Sequence, residues 1–350
     1  MNIGIVGVPQ VGKSTFYRLL TQTEPEASKG KATVGIARVP DARIDYLSAF
    51  YRPRKTTYAK INVTDIPGLE PGRSGEFLSA LKDIDAMVVV LRAFEAQHVP
   101  TRFEDGINPY AELHEVINEL TITDWAMADT RLSRLRKGAK QAQTAQDIAL
   151  FTRIAEQLEQ GVPLRRQSLT KEERLQLQGI TFYSDLPLIV VVNTDEEELL
   201  SGQYPGKMDV AAWCEAEHAP YLEICAQVEM EIAELPEEDR QAFMQDLGIT
   251  ESGLARLARA AYAHLGLISF FTVGEDEVKA WTIRQGTTAK QAAGKIHSDI
   301  ERGFIRAEVV SYHDFTAYGG QKLKEHAVLR LEGKEYVMQD GDIVNFRFNV

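Results

Sequence analysis

The sequence predicts an α/β fold: a doubly wound, mostly parallel sheet with an inserted helical hairpin, followed by a smaller α+β domain. Three observations carry the prediction. The chain opens as strand, glycine-rich turn and helix over residues 3–20. Two later runs, 86–91 and 186–192, are continuously apolar, as strands are when helices cover both faces of a parallel sheet. Between about 109 and 177 the apolar spacing turns helical, and from 268 to 350 it changes again to short strands around one helix. The expected boundaries are 1–108 and 182–266 for the sheet domain, 109–181 for the helical (coiled-coil) insertion and 267–350 for the terminal domain.

At 350 residues the chain is long for a single core. Its apolar content, 44%, is that of a globular protein. No apolar run approaches the ~20 residues that span a bilayer, and the first strand starts without a basic, apolar leader. A cytoplasmic location with no membrane partner is expected. The two cysteines, Cys214 and Cys225, are too few for a disulfide framework or a cysteine-based metal site and read as small buried residues. A net charge of −12 excludes binding to nucleic acid through overall charge, though not through a local basic face.

The first turn is Gly7-Val8-Pro9-Gln10-Val11-Gly12-Lys13-Ser14, followed by Thr15. Its glycines let successive backbone N–H groups turn onto a phosphate with no Cβ in the way, and the helix that follows presents its positive end. Lys13 is placed to neutralise β/γ-phosphate charge, and the Ser14 hydroxyl to sit on a Mg²⁺ held by the same phosphates. With a strand before it and a helix after it, the pattern points to a bound nucleoside triphosphate. The polar stretch 28–33 would lie beside the γ-phosphate and leads into strand-like alternation at 34–39. A strand at 60–64 then runs into Asp65-Ile66-Pro67-Gly68. In that context Asp65 reaches the Mg²⁺ shell through water and the Gly68 N–H meets the γ-phosphate, which makes Lys13 and Gly68 the candidate catalytic groups.

After the strand at 86–91, Leu113, Val116, Ile117 and Leu120 share one helical face. Further on, Arg131, Arg134, Arg136, Lys137 and Lys140 make the polar face basic, which is either a solvated face or a docking surface for RNA or an acidic partner. The runs 186–192 and 221–224 end in Asn193-Thr194-Asp195-Glu196 and Cys225-Ala226-Gln227. Ligands of a doubly wound sheet lie at the carboxyl ends of its strands, so these two tips should fall near the base of the nucleotide. In the terminal domain, strands expected at 269–272, 278–283, 308–312, 327–331 and 343–348 surround one helix at 289–300. His297, His313 and His326 are scattered there and read as structural or surface residues.

Taken together, these segments resemble the YchF-type P-loop NTPases of the Obg-related group, and the terminal domain is similar to TGS, a ubiquitin-like β-grasp. The most specific pieces are Val39-Pro40-Asp41-Ala42-Arg43, the run from Phe271-Thr272-Val273-Gly274 to Ile283, Glu332-Gly333-Lys334 and Asp340-Gly341-Asp342. The resemblance runs along nearly the whole chain. It implies an adenine-preferring enzyme that hydrolyses ATP slowly and associates with the ribosome, on its large subunit, through the basic helical face and the TGS domain. A monomer is expected. Related GTPases carry Asn-Lys-x-Asp, whose Asp accepts from guanine N1–H and N2–H₂. Here the packing Lys is absent and Glu196 reaches a methylene further, while Asn193 addresses N7, which both purines share. Guanine selection should be lost, so ATP is the expected ligand and GTP the alternative.

The chain departs from the family pattern in three places. Gln10 stands where the family usually has an Asn linked in related GTPases to a potassium ion, which leaves potassium dependence open. The Thr that the first switch normally gives to Mg²⁺ has only Thr33, at the end of Ser28-Lys29-Gly30-Lys31-Ala32-Thr33, as its candidate. Leu69 follows Gly68 where Ras-like proteins have a water-orienting Gln, and the second switch is shortened to Glu70-Pro71-Gly72-Arg73-Ser74-Gly75. Arg73 is its candidate for stabilising transition-state charge. Two functions follow: a Mg²⁺-dependent hydrolase acting as a switch, or a nucleotide sensor and ribosome- or RNA-binding adaptor that has lost hydrolysis.

Overall fold

A computed structural model describes residues 2–23, 33–69, 74–96, 99–104, 106–138, 142–320, 323 and 326–349. In chain order their strands are β1 (Asn2–Val6), β2 (Thr33–Arg38), β3 (Lys55–Thr57), β4 (Lys60–Asp65), β5 (Ala86–Arg92), β6 (Leu188–Asn193), β7 (Tyr221–Ile224), β8 (Leu267–Thr272), β9 (Glu277–Arg284), β10 (Phe304–Ser311), β11 (Arg330–Glu332) and β12 (Asp342–Phe348). The chain divides into two compact units, Met1–Gly35 with Asn62–Gly253, and Ile36–Ile61 with Leu254–Val350.

The first unit is built on a sheet of order β2-β4-β1-β5-β6-β7. The pairs β1–β4, β1–β5, β5–β6 and β6–β7 are parallel, as expected. β5 and β6 are buried along their whole length, which is why their sequences do not alternate. Leu113, Val116, Ile117 and Leu120 sit in the same core as Val190 and Val192. They lie on the first half of the helix Pro109–Gly138. Farther along, Leu132 leaves the sheet and shares a separate core with Leu150, Phe151 and Ile154 of the helix Ala142–Glu159. Each such buried side chain contributes about 1.5–3 kcal/mol. At the changeover Asp124 is fully buried and accepts the backbone N–H groups of Tyr183 and Ser184 at 2.9 and 2.7 Å. That anchors the hairpin to the turn leading into β6.

The second unit has the sheet order β11-β10-β12-β8-β9-β3. β8 pairs parallel with β12 and antiparallel with β9, and the helix Ala289–Ile296 packs its alanines against Phe270, Val309 and Val344. This is the expected β-grasp arrangement. The expectation of one helix is corrected: the terminal stretch has a further helix, Tyr312–Ala317, and the helix expected at 289–300 is two, Ala289–Ile296 and Ser298–Arg302. Between them His297 is extended, and its Nδ1 accepts the Asp299 N–H at 3.1 Å, capping the second helix.

The unit also takes in an earlier stretch of chain that the expected boundary at 267 leaves out. β3 pairs parallel with β9 in the register Lys55 with Glu277, and the Arg54 and Lys55 N–H groups donate to Glu275 and Asp276 at 3.0 and 3.1 Å. The helix Ala42–Tyr51 brings Phe50 and Tyr51 onto Phe315, with ring centroids 5.1 and 5.8 Å away. Arg43 donates to both Asp41 and Asp340 and lies over the Phe271 ring.

Candidate functional site

The tips of β1, β4, β5, β6 and β7 gather around the turn after β1. Gly7 has φ +150, and a Cβ there would stand 2.5 Å from the Val90 carbonyl, so the turn admits only glycine. Gln10 and Gly12 also take positive φ, 66 and 97, and the helix Lys13–Thr21 begins directly after. Lys13 is buried, its Nζ donating to the Val8 carbonyl at 2.8 Å.

Asp65 ends β4 beside this loop. Its Oδ2 accepts the Ser14 hydroxyl at 2.7 Å, while Oδ1 is buried with no hydrogen-bond partner among the described residues. Burial pushes the Asp65 carboxyl above the usual carboxylate range, against the opposing pull of the Ser14 hydrogen bond and the Lys13 charge. A hydroxyl that donates to Asp65 keeps its lone pairs available, so the pair offers oxygen donors to a hard cation that also carries phosphate oxygens. No group of three His, Cys, Asp or Glu among the described residues could hold a metal alone. Gly68 runs alongside: a Cβ there would be 3.1 Å from Pro9 N and 3.2 Å from Lys13 Nζ, and the Leu69 N–H donates to Gly7 O at 3.2 Å.

On the other flank, Gly12 and Thr15 share a cavity of about 370 Å³ with Asn193, Thr194, Glu196, Cys225, Ala226 and Gln227. All seven residues of the two tips, Asp195 included, thus line this cavity. Asn193 does more than face the cavity: its Nδ2 donates to Val11 O at 3.0 Å and its Oδ1 accepts Ala226 N–H at 3.1 Å. It braces the phosphate loop against the tip of β7, at such close range that a Cβ on Gly12 would sit 2.4 Å from Nδ2. Thr194 Oγ1 is buried without a partner among the described residues, Asp195 caps the helix Glu196–Ser201, and Glu196 is exposed at that helix's first position. Cys225 and Cys214 are buried and free, and burial raises both thiols, Cys214 to about 12, which keeps them in the protonated form at neutral pH.

Sequence reasoning missed Phe94 and Glu95, which line the same cavity. They follow β5 at its carboxyl end, so the rule that located the β6 and β7 tips also reaches them. The Ala93 and Phe94 N–H groups donate to the Asn193 carbonyl at 2.9 and 3.2 Å. Thr33, the first residue of β2, is half-buried and hydrogen-bonds neither Ser14 nor Asp65. Residues 28–32, Arg73 and Lys140 lie outside the described residues. Arg131, Arg134, Arg136 and Lys137 are exposed near the end of the helix Pro109–Gly138, with no ion pair among the described residues. No described helix is long and apolar enough to cross a membrane.

Comparison with known proteins adds to this geometry. Residues 2–126 match a family described as 50S ribosome-binding GTPase, and residues 267–349 match the YchF-GTPase C-terminal family, described as a protein of unknown function. The chain is 38% identical to the ribosome-binding ATPase YchF of Bacillus subtilis, with all of both chains covered. It is 36% identical to that of Escherichia coli O157:H7, with 99% of each covered. It also superposes on the YchF GTPase of Schizosaccharomyces pombe with a TM-score of 0.88 at 28% identity, covering 99% of this chain and 97% of that one.

Proposed function

The chain belongs to the YchF family, and from that premise we propose that it is a Mg²⁺-dependent ATPase of slow intrinsic turnover that works in the cytoplasm as a ribosome-associated monomer. The observation that supports this most directly is the Ser14–Asp65 pair, with the bare Asp65 Oδ1 next to the buried Lys13. These residues fit a bound Mg²⁺, with Ser14 as ligand and Asp65 in its shell; Thr33 is the candidate for a further ligand. When bound, the ion would neutralise phosphate charge and fix the triphosphate for in-line attack by water.

The chain's own groups do the rest. Backbone N–H groups of residues 10–15 cradle the phosphates, the Lys13 ammonium balances their charge, and the Gly68 N–H meets the γ-phosphate. Asn193 holds the phosphate loop and the base cavity at a fixed distance, and Thr194, Glu196, Cys225, Ala226 and Gln227 border the base. The cavity lining offers no Lys to pack on guanine, and Glu196 stands where related GTPases place the Asp that reads guanine N1–H and N2–H₂. Adenine is therefore the reading over guanine. Leu69 is buried and cannot orient water, which supports slow hydrolysis unless a partner completes the site; Arg73 is the candidate within the chain. The exposed Arg131, Arg134, Arg136 and Lys137 stand out on a chain of net charge −12. They are the natural face for ribosomal RNA, together with the TGS-like unit on the large subunit.

Phosphate release from Mg-ATP and Mg-GTP, measured for the native chain and for Lys13→Ala, tests the enzymatic reading. ATP turnover that falls at least about a hundredfold in the variant supports it. Turnover of GTP alone overturns the base assignment, and no release from either nucleotide overturns the hydrolase. Reversing Arg134, Arg136 and Lys137 to Glu should abolish co-sedimentation with ribosomes; unchanged sedimentation would show that the basic face is only solvated.

A further inference from the structure

Arg92 ends β5 with only 5% of its surface exposed, and no carboxylate pairs with its guanidinium among the described residues. Instead, three backbone carbonyls receive it. Nε donates to Phe94 O at 3.0 Å, Nη1 to Pro100 O at 3.2 Å and Nη2 to Val99 O at 3.1 Å. The guanidinium carbon also lies 5.0 Å from the centre of the Phe94 ring. The backbone N–H of Arg92 is fixed in turn by Glu112 Oε2 at 2.8 Å.

Burying a cation whose guanidinium donates only to carbonyls, with the Glu112 carboxylate beside it but not paired to it, is costly, and a loop held together for stability would ordinarily use an apolar side chain or a directly paired charge. The planar fork of Arg does what those cannot: it ties the start of a loop to residues five and six positions later in one fixed geometry. That loop leads away from the site in two directions. At its start Phe94 and Glu95 wall the cavity of about 370 Å³ beside Asn193. At its end Pro100 and Arg102 wall a separate cavity of about 200 Å³ beside Pro9 and Gln10.

We infer that Arg92 is a positioning residue for the base, holding Phe94 and Glu95 in the wall of the base cavity by stapling the loop that follows β5. The inference rests on the reading of that cavity as the base site. Phe94 gains a fixed ring orientation from the cation over its face and from the carbonyl it gives to Nε. Its backbone N–H is held by the Asn193 carbonyl, so the Phe94 backbone is tied on one side to Asn193 and on the other to Arg92.

Calorimetric titration of Mg-ATP and of Mg-tripolyphosphate, which has the phosphates without a base, separates this role from general support. The native chain should bind ATP more tightly than tripolyphosphate. Arg92→Gln should lose roughly tenfold in ATP affinity, the scale of one aromatic stack on a base, with less than about a twofold change for tripolyphosphate. Phe94→Ala should match it, and the double variant should be no worse than either single one, because both remove the same contact. Arg92→Lys keeps the charge but cannot reach three carbonyls, so it should behave as Arg92→Gln does; it carries the same comparison if Arg92→Gln does not fold. Equal losses for both ligands, additive losses in the double variant, or unchanged ATP affinity in a folded Arg92 variant would overturn the inference. A native chain that binds both ligands equally would instead overturn the base-site reading beneath it.

Discussion

Asp65 is half-buried, with one oxygen engaged and the other, buried, without a partner among the described residues, an arrangement that costs stability in the absence of a cation. Because its pKa is raised in the folded chain, the ionised form is disfavoured there relative to the unfolded chain, and removing the charge should stabilise. Asp65→Asn, which keeps an acceptor for Ser14, should therefore melt at the same temperature or higher without nucleotide while losing Mg²⁺-dependent ATP hydrolysis. A lower melting temperature would mean that the carboxylate is structural. Glu112 and Asp124 present the same physics on a larger scale, since burial lifts them to about 7 and about 6. Both lie above their unfolded values, so the folded chain binds protons the unfolded chain lacks. Stability should fall as pH rises between about 4 and 7, with the cost fully present above pH 7. At about 1.4 kcal/mol per pKa unit, Glu112 alone accounts for a cost on the order of 3 kcal/mol at pH 8. Glu112→Gln keeps an acceptor for Arg92 N–H and should flatten the decline of melting temperature between pH 5 and 8; an unaltered slope would assign the decline elsewhere.

At the scale of elements, β3 shows how three residues can redraw a domain. Its polar sequence, Lys55-Thr56-Thr57, buries little, yet its ladder to β9 and the preceding helix place a segment from early in the chain in the second unit. Lys55→Pro removes the N–H that reaches Asp276 and should cost roughly 1–3 kcal/mol, read as a fall in the denaturation midpoint. If the midpoint does not move, β3 lies on the unit without holding it. Nothing local announces β3, because its partner is more than two hundred residues away and it carries neither alternation nor an apolar run. The opposite holds for β5 and β6, whose unbroken apolar runs exist because the sheet buries both faces, and for the phosphate loop, whose glycines are fixed by positive φ and by clashes with Val90 and Asn193. The cavity proposed for the base is anticipated in sequence at the β6 and β7 tips; at β5 the same carboxyl-end rule applies, but Phe94 reads as one more apolar residue after a strand. The break at His297 was hidden because its flanks, 289–296 and 298–302, both have helical spacing, and only a side chain capping the second helix reveals two elements.

Over the whole molecule, the division into two units cuts through two strands rather than through linkers. β2 spans Thr33–Arg38 and the boundary follows Gly35; β4 spans Lys60–Asp65 and the boundary precedes Asn62. Each strand thus contributes residues to both units. Such a chain should unfold in one cooperative transition despite its length, where linker-joined domains would give two. Nucleotide held by the first unit should then protect the second as well. At a Mg-ATP concentration a hundredfold above its Kd the gain is about 2.7 kcal/mol, or about 4 °C for a chain of this size. The tryptophans allow the test: Trp125 and Trp213 lie in the first unit and Trp281 in the second, where its Nε1 donates to Thr272 at 2.9 Å. Trp281→Phe leaves fluorescence reporting on the first unit, and Trp125→Phe with Trp213→Phe leaves it reporting on the second, each compared with circular dichroism of the same protein. Coincident curves that Mg-ATP moves together would establish the coupling through β2 and β4. A transition seen by Trp281 that ignores Mg-ATP would mean that the shared strands part at the boundary and that the second unit does not sense the nucleotide.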